Sequence, residues 1–362
     1  ALEDAGGPGQ SQRLAQRCAE GTVLAEPRAA MSTAKLDAVF ALPFARAAHP
    51  AYREPIPALE TVRWSVISHR GCPGGCSFCA LSLHQGREVV ARSEGSILDE
   101  IRELSSRPGF KGTISDVGGP TANAWPVRRR DEGRCRDCRR PSCLHPALCN
   151  NLEPRHGALL GLLEGAAGIP GVKRVLLASG IRHDLALGER GFVEAVAGHH
   201  TGGHLKLAPE HVDRSVLALM RKPAISAFEE FEARFLAASR AAGKAQYVVP
   251  YFIAGFPGCG PEAAERVYAW LARRGQRLRQ VQTFVPIPGT RAAALFASGR
   301  DEAGREIFIP DPRERRRQKK LLTDPEPHPS AVRTTRISRE SLVKTARRPV
   351  SGRPGKGRKR RK

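Results

Sequence analysis

The sequence predicts an α/β fold in which six strands alternate with helical crossovers, as a partly open barrel or a doubly wound sheet. Three observations predict it. Short runs of period-two hydrophobicity alternate with longer runs of helical spacing between Thr61 and Val285. Repeated units of this kind imply parallel strands with right-handed crossovers. Each strand-like run then ends in turn-forming or chemically active residues: Cys72, Gly118-Gly119, Ser179-Gly180, Pro209-Glu210 and Gly255. Ligands bind beyond the carboxyl ends of such strands, so these loops, with Pro286 to Thr290 after the last strand, should share one rim.

Residues 1–58 are rich in Ala, Pro and Arg with weak periodicity, and read as a linker or the remnant of an upstream region. The core is expected over 59–322. Val62, Trp64 and Val66 alternate as the first strand, which stops at Ser68-His69-Arg70-Gly71 before the first cysteine. A helix follows with Ser96 as N-cap and Ile97, Ile101 and Leu104 on one face, until Pro108-Gly109 ends it. The second strand fits 112–117. A cysteine-rich insertion occupies 124–153, after which the alternation resumes with a helix at 156–167, a strand at 174–178, a helix at 189–199 and a strand at 204–208. Helices at 213–220 and 227–242, a strand at 246–254, a helix at 262–274 and a strand at 279–285 complete it. Six units are too few for a closed eight-fold barrel.

The 362 residues are 41% hydrophobic, as in a globular protein, and no run approaches the roughly 18 apolar residues of a membrane span. Without a secretory leader pattern, and starting at Ala1, the chain reads as cytoplasmic and as a fragment candidate. Of the net charge of +23, +14 falls within residues 311–362, where 19 Lys or Arg face 5 Asp or Glu. The segment 323–362 is therefore expected to be a disordered basic tail. Its charge suits contact with RNA phosphates and equally a solvated tail without a fixed partner.

Nine cysteines in a chain of this kind point to metal rather than to a disulfide framework. Cys72, Cys76 and Cys79 form C-x3-C-x2-C, with Gly74 and Gly75 permitting a tight path between them. Thiolates are soft ligands suited to iron–sulfur clusters. Three of them leave one iron of a [4Fe-4S] cube open to an outside ligand. Zinc held with His69 or His84, or a chance grouping in a turn, are the competing readings, and neither explains the later strand-end glycines.

With Phe78 just before the third cysteine, the loop resembles that of the radical S-adenosylmethionine superfamily. Longer strings are similar to the YgiQ family within it: Gly71 to Ala80, His84 to Arg87, Ile114 to Asn123, Ala178 to Arg182, and Leu205 to His211. The resemblance runs from about Leu42 to Leu322. It implies a partial (βα)6 barrel in which Cys72, Cys76 and Cys79 ligate three irons. S-adenosylmethionine would complete the fourth and be cleaved reductively to methionine and a 5′-deoxyadenosyl radical, the electron coming from a carrier such as flavodoxin or ferredoxin. It further implies that Phe78 lies against adenine, that Gly118 and Gly119 meet the amino acid end of the cofactor, and that Glu210 contacts ribose or the amino group. Gly255 would mark a close backbone approach near adenine. Pro120 replaces the acidic residue usual after the glycine pair. Phe256-Pro257-Gly258 and Pro286 to Thr290 resemble segments of radical enzymes that modify transfer RNA or ribosomal protein. Family members carry a long amino-terminal region that this chain is expected to lack, and they continue differently after residue 322.

Cys135, Cys138, Cys143 and Cys149 supply enough ligands for a second metal or cluster on what reads as a surface insertion, with His145 as a substitute ligand. Cys18 and Cys259 read as inert thiols. His69, Arg70, His84 and Arg87 bracket the cluster loop as outer partners or solvated positions. Tyr247 and Tyr251 read as packing residues. The principal expectation is a radical S-adenosylmethionine enzyme acting on an unknown substrate. The rival is a non-catalytic zinc protein that binds nucleic acid through its tail.

Overall fold

The computed structural model describes residues 14–25, 31–136 and 138–323. The expected basic tail, from 324 onward, lies outside the described residues. All six expected strands form: β1 Ser65–Ile67, β2 in two pieces Thr113–Ile114 and Asp116–Gly118, β3 Arg174–Val175, β4 His204–Glu210, β5 Tyr247–Ala254 and β6 Gln282–Thr283. Every pairing among them is parallel. β1 lies on β2 with Val66 opposite Val117, and β2 lies on β3 with Ile114 opposite Val175. β4 pairs β5 with Leu205 opposite Val248, and β5 pairs β6 with Ile253 opposite Gln282.

The six strands thus fall into two groups of three, in chain order. Between them stands the wide turn Val196–His200 rather than a ladder. The Leu177 amide donates to the His200 carbonyl at 2.9 Å, and Gln246 Nε2 donates to the Thr201 carbonyl at 2.8 Å. Side chain and loop here satisfy backbone groups that a continuous sheet would have paired.

Strand alternation explains which face is covered. Leu205 and Leu207 are buried beneath helices, while the alternating His204 and Lys206 are exposed. The cover comes from α1 Glu94–Ser106, α2 His156–Ala167, α3 Ile225–Ala241 and α4 Pro261–Arg273, which contribute Ile97, Leu163, Phe228 and Trp270 to the core. Tyr247 and Tyr251, expected to pack, are 61% and 39% exposed on the opposite face. That face follows from register: Val248 and Phe252 take the covered side, so their neighbours cannot.

Other expectations shift in detail. Strand β1 starts at Ser65 because Pro57–Val62 is a helix with Pro at its first turn. Ser93, not Ser96, caps α1, accepting the Ser96 amide at 3.2 Å. Ser96 instead receives Arg92 on its hydroxyl and carbonyl. The expected linker contains an antiparallel hairpin, Leu14–Cys18 with Gly21–Ala25, and a helix, Thr33–Phe40, capped by Ser32. That helix is tied to the core through buried Leu36, Asp37 accepting the Ser93 amide at 3.0 Å, and Phe40 lying 4.2 Å beneath the Arg92 guanidinium. An Ala-rich composition with two anchoring hydrophobics leaves too faint a period to read. Among the described residues no helix is long and apolar enough to cross a membrane.

Candidate functional site

The three-cysteine loop is clamped from all sides at the end of β1. Gly71 has φ +81, and a Cβ there would stand 1.8 Å from the Glu88 carbonyl oxygen, so only glycine fits. The Cys72 amide donates to Gly86 at 3.1 Å, Ser77 donates to Met220 at 3.1 Å, and Ser77 accepts from Ala292 at 2.8 Å. The three thiols are free and half-buried. A Cβ on Gly74 would lie 3.3 Å from Cys72 Sγ and 3.8 Å from Cys76 Sγ, which places both sulfurs over the same side-chain-free patch.

Burial pushes the Cys72 thiol up to about 11, with Cys76 adding to it, and burial raises Cys79 as well. These sulfurs become thiolates at neutral pH only against added positive charge, which iron supplies. A [4Fe-4S] cluster takes one thiolate per iron at separate corners, and three free cysteines on one glycine-containing loop supply three such ligands. The loop fits the cluster.

Two buried ion pairs flank the sulfurs. Arg182 forks onto Asp184, Nε to Oδ1 at 2.8 Å, and its Nη1 lies 3.4 Å from Cys76 Sγ. Asn123 fixes the arginine backbone, accepting its amide at 2.8 Å and donating to its carbonyl at 3.0 Å. Burial favours neutral Arg182, but Asp184 and the cysteines outweigh it and hold the cation; Asp184, though burial opposes its charge, is drawn down to about 2. On the other side Lys222 Nζ stands 3.9 Å from Glu210 Oε1, a charge contact rather than a hydrogen bond. Glu210 is a non-glycine residue at φ 71, beyond a register shift in β4, and burial raises its carboxyl against the pull of Lys222.

The expected cofactor residues land as follows. Phe78 meets Phe256 edge-on at 6.3 Å. Gly118 is forced by Ser179 and Asp116, since a Cβ would lie 2.0 Å from Ser179 Oγ, and Gly119 lies under the His69 ring. Gly255 faces Arg315, and its amide donates to Gln318 Oε1 at 2.8 Å. A side chain at any of the three would therefore force its protein neighbours to shift. Of the bracketing residues, His69 is fully buried with Nδ1 2.9 Å from Ser68 Oγ and Nε2 unpartnered among the described residues, whereas Arg70 and His84 are exposed and Arg87 is buried. Cys259 is buried and pushed up to about 12 by burial, an inert thiol.

Burial lowers His69 to about 4, His183 to about 3 and His211 to about 4. Each folded value lies below the unfolded value near 6.5, so the unfolded chain binds the extra protons and stability falls as pH drops. Each imidazole is expected to cost roughly 1–2 kcal/mol between pH 7 and pH 5. Urea midpoints across that range check this; a flat profile contradicts it. The carboxyls of Asp116 and Glu210, raised by burial, act in the opposite sense as pH falls.

The insertion is not peripheral. The antiparallel ribbon Val127–Arg129 with Leu152–Pro154 frames it, and its tip covers the cluster loop. Cys143 donates its amide to Pro73 at 3.0 Å, Ser142 Oγ donates to Gly74 at 2.5 Å, and a Cβ on Gly75 would stand 2.2 Å from the Pro141 oxygen. Cys135 and Cys143 are buried, and the remaining three thiols of the group all bear on Cys143, whose thiol burial raises.

Two family models match: Radical SAM N-terminal over residues 2–65 and Radical SAM superfamily over residues 66–271. The chain belongs to the radical SAM superfamily. Residues ahead of the core therefore match the family's amino-terminal region, correcting the expectation that this region is wholly missing. Curated relatives named UPF0313 protein include those of Methanocella arvoryzae, 42% identical over 87% of this chain and 53% of the relative, and Pseudomonas putida, 41% identical over 96% and 46%. The chain spans about half the length of such relatives. Among solved structures, the radical S-adenosylmethionine methyltransferase TsrM from Kitasatospora setae aligns with 13% identity and a TM-score of 0.45 over 86% of this chain and 57% of that one. Coproporphyrinogen III oxidase from Escherichia coli aligns with 17% identity and a TM-score of 0.39 over 71% and 50%.

Arg182, Asp184 and Lys222 were not singled out as site residues from sequence. Arg182 closes one of the family-like strings and carried that much signal; Lys222 carried none, since only the turn after Met220 brings it to the cluster loop.

Proposed function

We propose that this chain holds a [4Fe-4S] cluster on Cys72, Cys76 and Cys79 and cleaves S-adenosylmethionine reductively to begin radical chemistry on a substrate not yet identified. The observation that carries it is the C-x3-C-x2-C loop, three free thiols of which Cys72 and Cys76 lie together over Gly74, in a superfamily defined by that use. When bound, cluster and S-adenosylmethionine together supply one-electron cleavage of a carbon–sulfur bond, yielding methionine and a 5′-deoxyadenosyl radical. The protein's part is to hold, orient and shield. Phe78, braced by Phe256, offers a ring face to adenine; the Gly118-Gly119 backbone and Gly255 border the cofactor; and Glu210, buried beside Lys222, offers a carboxylate to ribose or the amino group. An electron carrier such as flavodoxin or ferredoxin would reduce the cluster. The non-catalytic nucleic-acid reading has no support beyond the charge of the tail.

The test is anaerobic reconstitution with iron and sulfide, then reduction in the presence of S-adenosylmethionine. The proposal expects a reduced-cluster paramagnetic signal and 5′-deoxyadenosine; a chain that gives neither refutes it.

The insertion is proposed to bind a second metal or cluster through Cys135, Cys138, Cys143 and Cys149, since four unpaired thiols share one docked loop. Changing Cys135 and Cys138 together to Ala is expected to lower bound metal per chain while Cys72, Cys76 and Cys79 keep theirs. Unaltered iron and zinc would refute it.

A further inference from the structure

A buried cation reaches one sulfur of the three-cysteine loop. Arg182 is 7% exposed, its guanidinium forked on Asp184 and reaching Cys76 Sγ at 3.4 Å, with its backbone fixed on both sides by Asn123. The fork takes the Nε–Nη2 edge of the guanidinium and leaves Nη1 facing the sulfur. A planar, always-charged group held this way keeps its charge and direction when the surroundings change. Gly74 borders the contact: a Cβ there would lie 3.5 Å from Nη1, an ordinary contact distance, and 3.3 Å from Cys72 Sγ.

We propose that Arg182, locked on Asp184, is a positioning residue that raises the reduction potential of the cluster at Cys76. The inference rests on the cluster reading above. Reduction adds one electron, and so one negative charge, to a unit already carrying three thiolates. A buried cation donating to one of those sulfurs stabilises the reduced state more than the oxidised one, and hydrogen bonds to sulfur and local charge are the terms that tune such clusters. Low local dielectric enlarges the effect. Asp184 serves two opposed ends: it orients Arg182 and partly cancels its charge.

Charge compensation therefore predicts shifts of opposite sign at two residues of one fork. Arg182→Gln is expected to make reduction about tenfold less favourable, a shift of about 59 mV to more negative potential for one electron. Arg182→Lys keeps the charge and should shift less. Asp184→Asn removes the partial cancellation and should move the potential positive. The measurement is potentiometric titration of the reconstituted chain, followed by the paramagnetic signal of the reduced cluster without S-adenosylmethionine, with iron and sulfide analysis of every variant. An Arg182→Gln protein with full cluster content and a wild-type potential overturns the inference. If that variant holds no cluster, Asp184→Asn decides: a positive shift supports the proposal, and an unchanged or negative potential overturns it. A wild-type chain that takes up no cluster refutes the functional reading and this inference with it, whereas a loaded wild type with an unmoved Arg182→Gln potential refutes this inference alone.

Discussion

Replacing Cys72, Cys76 or Cys79 singly by Ala should abolish cluster retention and reduce 5′-deoxyadenosine formation on the order of 100-fold or more. Loss of an outer hydrogen-bond partner of a metal ligand already costs roughly 10–100-fold, and loss of the ligand itself costs more. The loop's own folding should survive, because its hydrogen bonds to Gly86, Met220 and Ala292 come from backbone rather than from the thiols. Unfolding midpoints of the cluster-free variants should accordingly match those of the cluster-free wild type. Among the three, Cys76→Ala also strips Arg182 of its sulfur contact and leaves it on Asp184 alone. A variant that retained full iron and product would show that its cysteine is not a ligand.

The largest loss of stability is expected at Glu100, far from the sulfurs in sequence. This helix residue is 8% exposed and pairs with both Arg92 and Arg46. Arg92 is among the most buried side chains of the molecule; it donates to the Ile67 carbonyl at 2.9 Å and the Ser96 carbonyl at 2.8 Å, with Phe40 beneath it. Glu100→Ala would leave two guanidinium groups facing each other in a poorly solvated space. The expected cost is about 3–5 kcal/mol, the range for breaking a buried pair at one partner. Exchanging both Arg92 and Glu100 for apolar residues of similar volume should cost much less, because no charge is then stranded. Urea unfolding of the two variants separates the cases, and equal losses would contradict this account. The effect bears on the site because Ile67, which Arg92 holds, ends the strand that delivers Cys72.

Local pattern was legible where one element satisfies its own rules. Leu205, Leu207, Val248 and Phe252 alternate because one face of a strand is covered, and Ile97, Ile101 and Leu104 recur because one side of a helix is. Both patterns survive in the chain without knowledge of their partners. Tyr247 and Tyr251 are exposed against expectation because alternation tells that two faces differ, not which is left open. The helix Thr33–Phe40 was missed because Leu36, Asp37 and Phe40 acquire meaning only against Ser93 and Arg92. Ser96 reads as a cap from sequence because its role as receiver of Arg92 depends on how the side chain just ahead of the helix folds back onto it.

By itself the sequence determined the cysteine spacing, the six-strand order and the family, and through them the chemistry proposed for the three-cysteine loop, since these depend on residues adjacent along the chain. Only the tertiary structure decided that Arg182 and Lys222 approach the sulfurs and that the insertion covers the cluster loop. It also decided that a side chain at Gly118, Gly119 or Gly255 would force its protein neighbours to shift. The physical reason is range. Ligand spacing and periodicity act over a few residues, whereas burial, charge pairing and the space a Cβ would occupy are set by segments far apart in sequence that meet only when the chain folds.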